Sequence, residues 1–510
     1  MSDTATRSAR NQGVILVLLV GGLLVSMFAL VHPWFDRTND GSTYILTARA
    51  LAAGEGYTYL GETFRLRPPG FPALLMLFEP EVSNFGALNM LVTLFGVAGV
   101  VFFYVHQRPH LGSLLALLTS LAVWLNPGYR RLCTEVMSDV PGLALVLACL
   151  LIERWASRRP SRVREIVLGL TIGLSVYVRS IVVLLVPAIV LMRLFVQWQK
   201  ETETGSWWRY AVERIAILVV ATWLVLLPWN IARSRNLPEP PADQTLNYSL
   251  STAMWHEDPG DPGSRRYGPG EILARVAPRL GDLAVVVGSR LQHRIPGSPP
   301  PSAAASLGYG ALALLMTACW LAVLYRRRAA AEWFVAGVLF VVTLYFIFTD
   351  RLALPLFVFG LAATVEVLRD VVRRYAGSIP ATVVPAAALL LLIVVDFSPR
   401  PGWDEVRTRH REFVGLATAV NEVLPEDARL AAGQGFHYGV YLERPVYSLM
   451  HAARRGRRPD AVEQIIDKYD INTVVLSPLV PPDLPLAPYF RQRYGHGTEV
   501  AGARIWRVRD

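Results

Sequence analysis

From Gly13 to Val31 the chain runs for nineteen residues without a charge, about the length a helix needs to cross the hydrocarbon core of a bilayer. The run exceeds the roughly 7–15 residues of a signal-peptide core and no small-x-small cleavage site follows it, so a retained span is expected. Arg7 and Arg10 ahead of it place the N-terminus in the cytoplasm by the positive-inside rule. Further apolar runs follow at 85–105, 111–126, 137–152, 166–178, 180–196, 213–229, 306–325, 332–348, 352–368 and 380–396, which makes eleven candidate spans. With 53% hydrophobic and 18% charged residues over 510 positions, the chain reads as a polytopic α-helical membrane protein and not as a soluble enzyme.

Charge sets the expected topology. The runs at 166–178 and 180–196 are short, and basic residues flank the pair: Arg154, Arg158, Arg159, Arg162 and Arg164 before it, Arg193, Lys200, Arg209 and Arg214 after it. Both flanks belong in the cytoplasm, so the segment between them should go out and return near Arg179. The basic loops at Arg326–Arg328 and Arg369–Arg374 then also fall inside. Three extracytoplasmic regions result: a first loop at 32–84, a long Pro/Gly-rich loop at 230–304, and a tail at 397–510 after a membrane domain over 1–396. In the tail, "ARLAAGQ", "VYSL" and "NTVVLSP" read as short strands and "DAVEQIIDKYD" as an amphipathic helix, which predicts a small α/β domain. The net charge of +10 is nearly all arginine, since Lys200 and Lys468 are the only lysines, and it is scattered among the spans. That distribution implies no nucleic-acid partner. Cys133, Cys149 and Cys319 lie in or beside apolar runs, with neither a disulfide framework nor zinc-site spacing.

Several charges on the expected outer side have no solubility reason to be there. They are Asp36, Asp40, Arg49, Arg65 and Arg67 in the first loop; Arg130, Arg131, Glu135 and Asp139 between the third and fourth spans; Arg179; Arg233 and Arg235; and Asp350 and Arg351. A charge at membrane depth costs about 2.5–3.5 kcal/mol on insertion scales, so each needs a partner, a water-filled cavity or a function. Arg179 is satisfied either by lipid phosphates, to which it would snorkel, or by a facing carboxylate. Together the outer arginines, Arg65, Arg67, Arg179 and Arg351 first among them, are able to hold a phosphodiester by bidentate, charge-assisted hydrogen bonds. Asp40 has two compatible readings: the N-cap of an interfacial helix over 41–53, and a catalytic carboxylate at the membrane surface. Tyr44, one turn on, shares its face and is a candidate substrate contact. In "RLRPPGFP", Pro68 and Pro69 keep the preceding residues extended and start the next helix, carrying Arg65 and Arg67 toward the same surface. His256, Glu257 and Asp258 in "HEDPGDPGSRR" are able to take a divalent cation, although acidic Pro/Gly loops are usually just solvated.

An aspartate just after the first span, then "TYILTARALAAGEGYTY", then "RPPGFPALL", resembles the first loop of bacterial GT-C glycosyltransferases. These are the membrane enzymes similar to protein O-mannosyltransferases and to the aminoarabinose transferase that modifies lipid A. "TEVMSDVPGLALVLACLLIERW", "GLTIGLSVYVRSIVVLLVPAIVL", "LLPWNIARS" and "DRLALPLF" resemble later landmarks of the family, in its order, over roughly residues 13–400. The resemblance implies a GT-C fold with about eleven transmembrane helices and interfacial helices in the first outer loop. It also implies a bacterial inner-membrane protein using a polyprenyl-phosphate sugar donor, with an acceptor glycosylated on the outer face. By it Asp40 matches the general base, Glu135 and Asp139 match a second acidic position, and Arg351 matches the arginine before the tenth span. The commoner pattern is Asp-Glu where this chain has Asp40-Gly41, so a role of that Glu, such as helping to hold a cation, does not carry over.

The residue types suit that chemistry. Lipid phosphate is a good leaving group when arginines stabilise its charge, and no general acid is needed. One carboxylate then suffices to take the acceptor proton, typically worth about 10²–10⁴-fold in rate, and direct displacement inverts the anomeric centre. No cofactor is required, and a divalent cation remains compatible. The acceptor is open among a glycan, a lipid and a protein. The rival class, a flippase for lipid-linked sugars, would need polar residues through the depth of the spans, whereas the charges here gather at one face.

Overall fold

The computed structural model describes residues 2–200, 207–235, 246, 254–257, 264–292, 301–345, 350–397, 403–449, 459–480 and 486–509. Its first half consists of α1 (Ser2–Phe28), α2 (Asn39–Ala52), α3 (Gly70–Met76), α4 (Phe85–Leu125), α5 (Pro127–Cys133), α6 (Asp139–Arg158), α7 (Arg162–Val178), α8 (Leu185–Lys200) and α9 (Trp207–Arg235). A short hairpin, β1 (Thr58–Tyr59) and β2 (Glu62–Thr63), lies between α2 and α3. Then come α10 (Pro269–Ala274), α11 (Val276–Gly288), α12 (Ala303–Arg327), α13 (Ala330–Leu344), α14 (Leu354–Ala376) and α15 (Ser378–Asp396).

In its described part each apolar run falls on a helix. The second and third runs share α4, broken at Gly112, whose φ of 77° lies in the left-handed region that glycine enters without steric cost. Among the described residues six helices are long and apolar enough to cross a membrane: those over Val82–Leu125, Asp139–Arg158, Ala211–Arg235, Ala303–Arg327, Asp350–Ala376 and Ser378–Asp396. Three shorter apolar helices accompany them, Gln12–Phe28, Ser180–Phe195 and Ala330–Leu344. Length and composition therefore do not reach the expected eleven, because two runs share α4 and α7 carries Arg162, Arg164 and Glu165 in its first turn.

The hairpin expected at Arg179 is present. Helix α7 ends at Val178, Arg179 is extended (φ −148°, ψ 116°), and a 3₁₀ turn leads into α8. That α8 returns is shown by Glu165, at the start of α7, which accepts from Arg193 Nη2 of α8 at 2.6 Å and from Arg214 Nε of α9 at 2.8 Å. Glu165 is fully buried, and two guanidinium groups satisfy a charge that would be costly alone.

The first-loop helix α2 is packed into the protein: Gly41, Ser42, Thr43, Tyr44, Ile45, Thr47 and Ala48 are all buried, on more than one face. Within the region 230–304, α9 continues to Arg235, and the described residues include the short helices α10 and α11. After α11, Arg290 and Leu291 have φ of 58° and 64°. Asn126 Nδ2 pins this turn by donating to the Arg290 carbonyl at 3.0 Å, and Arg290 Nη2 reaches Asp396 at 2.9 Å.

The tail forms the predicted α/β unit. After α16 (Trp403–Val423) come β3 (Leu430–Ala432), α17 (Gly435–Leu442), β4 (Val446–Ser448), α18 (Pro459–Lys468), β5 (Thr473–Leu476), α19 (Ala487–Tyr494), β6 (Thr498–Val500) and β7 (Ala503–Arg507). The sheet order is β4-β3-β5-β7-β6, parallel at β4-β3 and β3-β5 and antiparallel beyond. The three strands and the helix expected from sequence are β3, β4, β5 and α18. One side of the sheet closes its own core around Val474, Ile466, Phe490 and Trp506. The other side merges with the helical bundle, because Phe413, Val420, Tyr438 and Tyr441 share one apolar cluster with Phe35, Ile45 and Phe85.

Candidate active site

The chain turns into α2 at Thr38, whose backbone is extended (φ −114°, ψ 145°) and whose hydroxyl accepts from the Gly41 amide at 3.0 Å. Thr38 is thus the N-cap, and the expectation that Asp40 caps the helix is wrong by two residues. Asp40 instead lies within the first turn, where free amides favour a carboxylate, and its side chain is released for other partners. Asp40 Oδ1 accepts from Arg67 Nη2 and Oδ2 accepts from Arg351 Nη2 at 2.5 Å.

Each guanidinium in turn reaches further. Arg67 Nη1 donates to Thr43 Oγ1 at 2.8 Å, and the group lies 5.0 Å from the centre of the Tyr44 ring. The Tyr57 hydroxyl donates to the Arg67 carbonyl at 3.0 Å, fixing the stretch ahead of Pro68 and Pro69. Arg351 Nη1 lies 3.4 Å from Asp139 Oδ2. Arg179 grips Asp139 with both branches, at 2.6 and 3.1 Å, and also donates to Ser138 Oγ at 2.9 Å. Gly142, one turn after Asp139, makes this reach feasible: a Cβ there would sit 2.8 Å from Arg179 Cβ and Cγ. Ser138 Oγ also shares a hydrogen bond of 2.9 Å with the Tyr44 hydroxyl. Next to this group Arg131 pairs with Asp350, and its Nε lies 3.6 Å from Glu135 Oε1. Asp350 Oδ1 accepts from the Arg351 amide at 2.9 Å.

Four connections distant in sequence thus meet in one polar cluster. Burial alone would raise the pKa of Asp40, but the charges of Arg351, Arg67 and Arg179 overcome it and hold the carboxyl well below the usual carboxylate range. Asp40 is therefore an anion throughout the neutral range, and planar guanidinium forks of the kind that match phosphate oxygens surround it.

Asp40, Tyr44, Arg67, Asp139, Arg179 and Arg351 are brought together, and Arg179 meets a facing carboxylate, one of its two open readings. Arg65 is not among them: its Nε donates to the Arg233 carbonyl at 2.7 Å, away from the carboxylates. Glu135 belongs to the neighbouring Arg131 group and does not touch Asp40 through any of these bonds. His256 Nδ1 donates to the Ser264 carbonyl at 3.0 Å and Glu257 lies 3.4 Å from Arg265, while Asp258 falls outside the described residues. No group of three or more metal-capable side chains occurs among the described residues. Thr43 and Ser138 were missed by sequence reasoning, because a lone Ser or Thr carries no signal of its own.

The residue after Asp40 has no room for a side chain. A Cβ on Gly41 would lie 2.5 Å from Thr38 Oγ1, 2.9 Å from the Val136 carbonyl oxygen and 3.2 Å from Phe35. Here the loop before α6 occupies the space that the Glu of an Asp-Glu pair would need.

Residues 67–226 match the family described as dolichyl-phosphate-mannose-protein mannosyltransferase. No curated protein sequence is significantly similar to the chain. Among solved structures, ArnT from Cupriavidus metallidurans in the apo state superposes with a TM-score of 0.61 at 15% identity, over 96% of this chain and 97% of that one. The same protein bound to undecaprenyl phosphate gives 0.60, with the same identity and coverage. The archaeal oligosaccharyltransferase AglB from Archaeoglobus fulgidus, in complex with an inhibitory peptide and a dolichol-phosphate, gives 0.54 at 13% identity, over 93% of this chain and 72% of that one. At such identities the likeness establishes the fold, which is the GT-C fold of membrane glycosyltransferases. The family match, over residues 67–226, falls within that fold.

Proposed function

We propose that the protein is an inverting glycosyltransferase of a bacterial inner membrane, which moves a sugar from a polyprenyl-phosphate donor to an acceptor hydroxyl on the extracytoplasmic face. The observation that carries this is the junction at Asp40, where one carboxylate is gripped by guanidinium groups from two different connections. ArnT and AglB, which share the fold, have been captured with undecaprenyl phosphate and dolichol-phosphate.

The donor phosphate takes positions on Arg67, Arg179 and Arg351 that the carboxylates now hold. The acceptor hydroxyl approaches the anomeric carbon from the opposite side, beside Asp40. The bond from anomeric carbon to phosphate oxygen breaks, its electron pair stays on the lipid phosphate, and the arginines stabilise that charge. The acceptor oxygen bonds to the anomeric carbon and its proton passes to Asp40. Asp40 is a weak base while the arginines hold it; once the phosphate takes them its basicity rises, and the proton passes to it as the new bond makes the hydroxyl acidic. The guanidinium groups supply the positive charge that a divalent cation would bring to the phosphate, so turnover is expected to survive chelation by EDTA.

The test supplies purified protein in lipid vesicles with labelled undecaprenyl-phosphate mannose, glucose and pentose and an extract of envelope glycans and lipids. Transfer by the wild type, with loss of turnover in a folded Asp40→Asn variant, is expected. Full activity of Asp40→Asn would remove Asp40 from the role of base. Movement of donor across the vesicle without transfer to any acceptor would favour a flippase.

A further inference from the structure

The tail domain does more than sit beside the site. Three residues ahead of Asp40, Arg37 enters the tail: its guanidinium lies 4.2 Å from the centre of the Phe413 ring of α16, and Nη2 donates to the Leu479 carbonyl, just beyond β5, at 3.3 Å. Phe35, fully buried, packs 6.3 Å from Tyr441 of α17. Two residues after Asp40, Ser42 Oγ and His437 Nδ1 of α17 share a hydrogen bond of 2.8 Å, with both side chains buried. A turn further on, a Cβ on Gly439 would lie 3.4 Å from the Leu46 methyl groups, and Arg49 donates to the carbonyls of Gly439 and Val440 at 3.3 and 2.9 Å.

These contacts bracket Asp40 on both sides in sequence. Residues 40 and 42 are about 200° apart around a helix, so His437 holds the first turn of α2 from the side roughly opposite the carboxylate that the arginines hold. Burial, and after it the charge of Arg37, lowers the pKa of His437 to about 3. The imidazole is neutral in the working range, and the hydrogen bond to Ser42 persists without a proton switch.

We propose that His437 is a positioning residue for the transferase reaction: through Ser42 it fixes the first turn of α2, and with it the place of Asp40 relative to the anomeric carbon. This rests on Asp40 being the base. A base displaced by about 1 Å can cost on the order of 10²-fold in rate while leaving binding intact. The Arg37 anchor acts on the same turn from its other end.

The experiment compares full-length His437→Ala, His437→Asn and Ser42→Ala with wild type and Asp40→Asn, each normalised to folded protein. Asparagine places an amide atom where the ring Nδ1 stood, so it restores a partner for Ser42, whereas alanine does not. Two measurements are made: kcat and KM for the undecaprenyl-phosphate sugar that the wild type uses, and hydrogen exchange of amides 39–46, which needs no sugar. His437→Ala and Ser42→Ala are expected to lower kcat roughly 10- to 100-fold with donor KM within about threefold, to speed exchange in the first turn of α2, and to be rescued at position 437 by asparagine. Unchanged kcat and unchanged exchange in both variants, with Asp40→Asn inactive, would overturn the proposal while leaving the proposed function intact. An active Asp40→Asn would overturn the role of the base, and the positioning role with it. Should His437→Ala fail to fold, Ser42→Ala, which deletes one oxygen from the same bond, decides the outcome.

Discussion

Replacing Gly41 by alanine separates two opposed effects. By intrinsic propensity a Gly→Ala change inside a helix is stabilising by about 0.8–1.0 kcal/mol. Here the new methyl would stand 2.5 Å from the capping Thr38 hydroxyl and 2.9 Å from the backbone oxygen of Val136. The hydroxyl can rotate away, but it then abandons the Gly41 amide, and losing a Thr cap costs about 1 kcal/mol. The Val136 carbonyl cannot rotate away, and forcing one methyl into packed surroundings costs about 1–3 kcal/mol. The sum is a net destabilisation of roughly 1–3 kcal/mol, opposite in sign to the propensity effect. Any relief comes from sliding the first turn of α2 away from the 134–138 loop, and Asp40 rides on that turn. The expected outcome is a lower Tm in detergent together with a fall in kcat larger than the change in donor KM. A Tm at or above wild type with full turnover would refute the steric reasoning. It would also show that a side chain at 41, including the Glu of an Asp-Glu pair, is accommodated.

Arg351→Lys keeps the charge but loses the fork that spans Asp40 and Asp139, since an ammonium cannot present two parallel donors; a fall in kcat of about 10²–10³-fold is expected in steady-state assays. The pH dependence follows from the depressed pKa of Asp40. Its ionised form contributes stability that is fully present above the unfolded carboxylate value of about 3.9 and is lost as pH falls through the lower folded value. Between pH 5 and 8 Asp40 should therefore leave Tm flat, and kcat/KM should show no acid limb from it, which a pH series against Asp40→Asn checks; an acid limb near pH 6 that vanishes in that variant would contradict it.

The spans were legible because lipid demands long apolar runs, and the return at Arg179 was legible because arginine is asymmetric about a membrane. Strands β3, β4 and β5 and helix α18 showed their periodicity. The site was half legible. Charges without a solubility reason pointed to Asp40, Arg67, Asp139, Arg179 and Arg351, which meet; Arg65, chosen by the same logic, turns to the Arg233 carbonyl, and the chain bends at Leu66 and Arg67 between the two arginines. The cap went to Asp40 in sequence because Asp is a strong capping residue; in the fold two arginines compete for its oxygens, and Thr38 takes the amide. The pairing of Ser42 with His437 spans 395 positions, and no local pattern announces a partner that far away. Nor did α17 stand out, because "GFHYGVYL" is buried on all sides and shows no single apolar face.

In many α/β domains the carboxyl ends of parallel strands are where ligands settle. The helix that follows β3 is spent here on gripping α2, which has consequences for recombination between related enzymes. A tail exchanged at the natural-looking boundary near residue 397 would arrive with a foreign α17 and meet residues 35–49 that it was never matched to. The heritable unit is discontinuous: the segment around Asp40 and the tail must travel together, although some 350 residues of helical bundle lie between them. Chimeras that honour that pairing should keep turnover, and those that split it should fold their spans and stall.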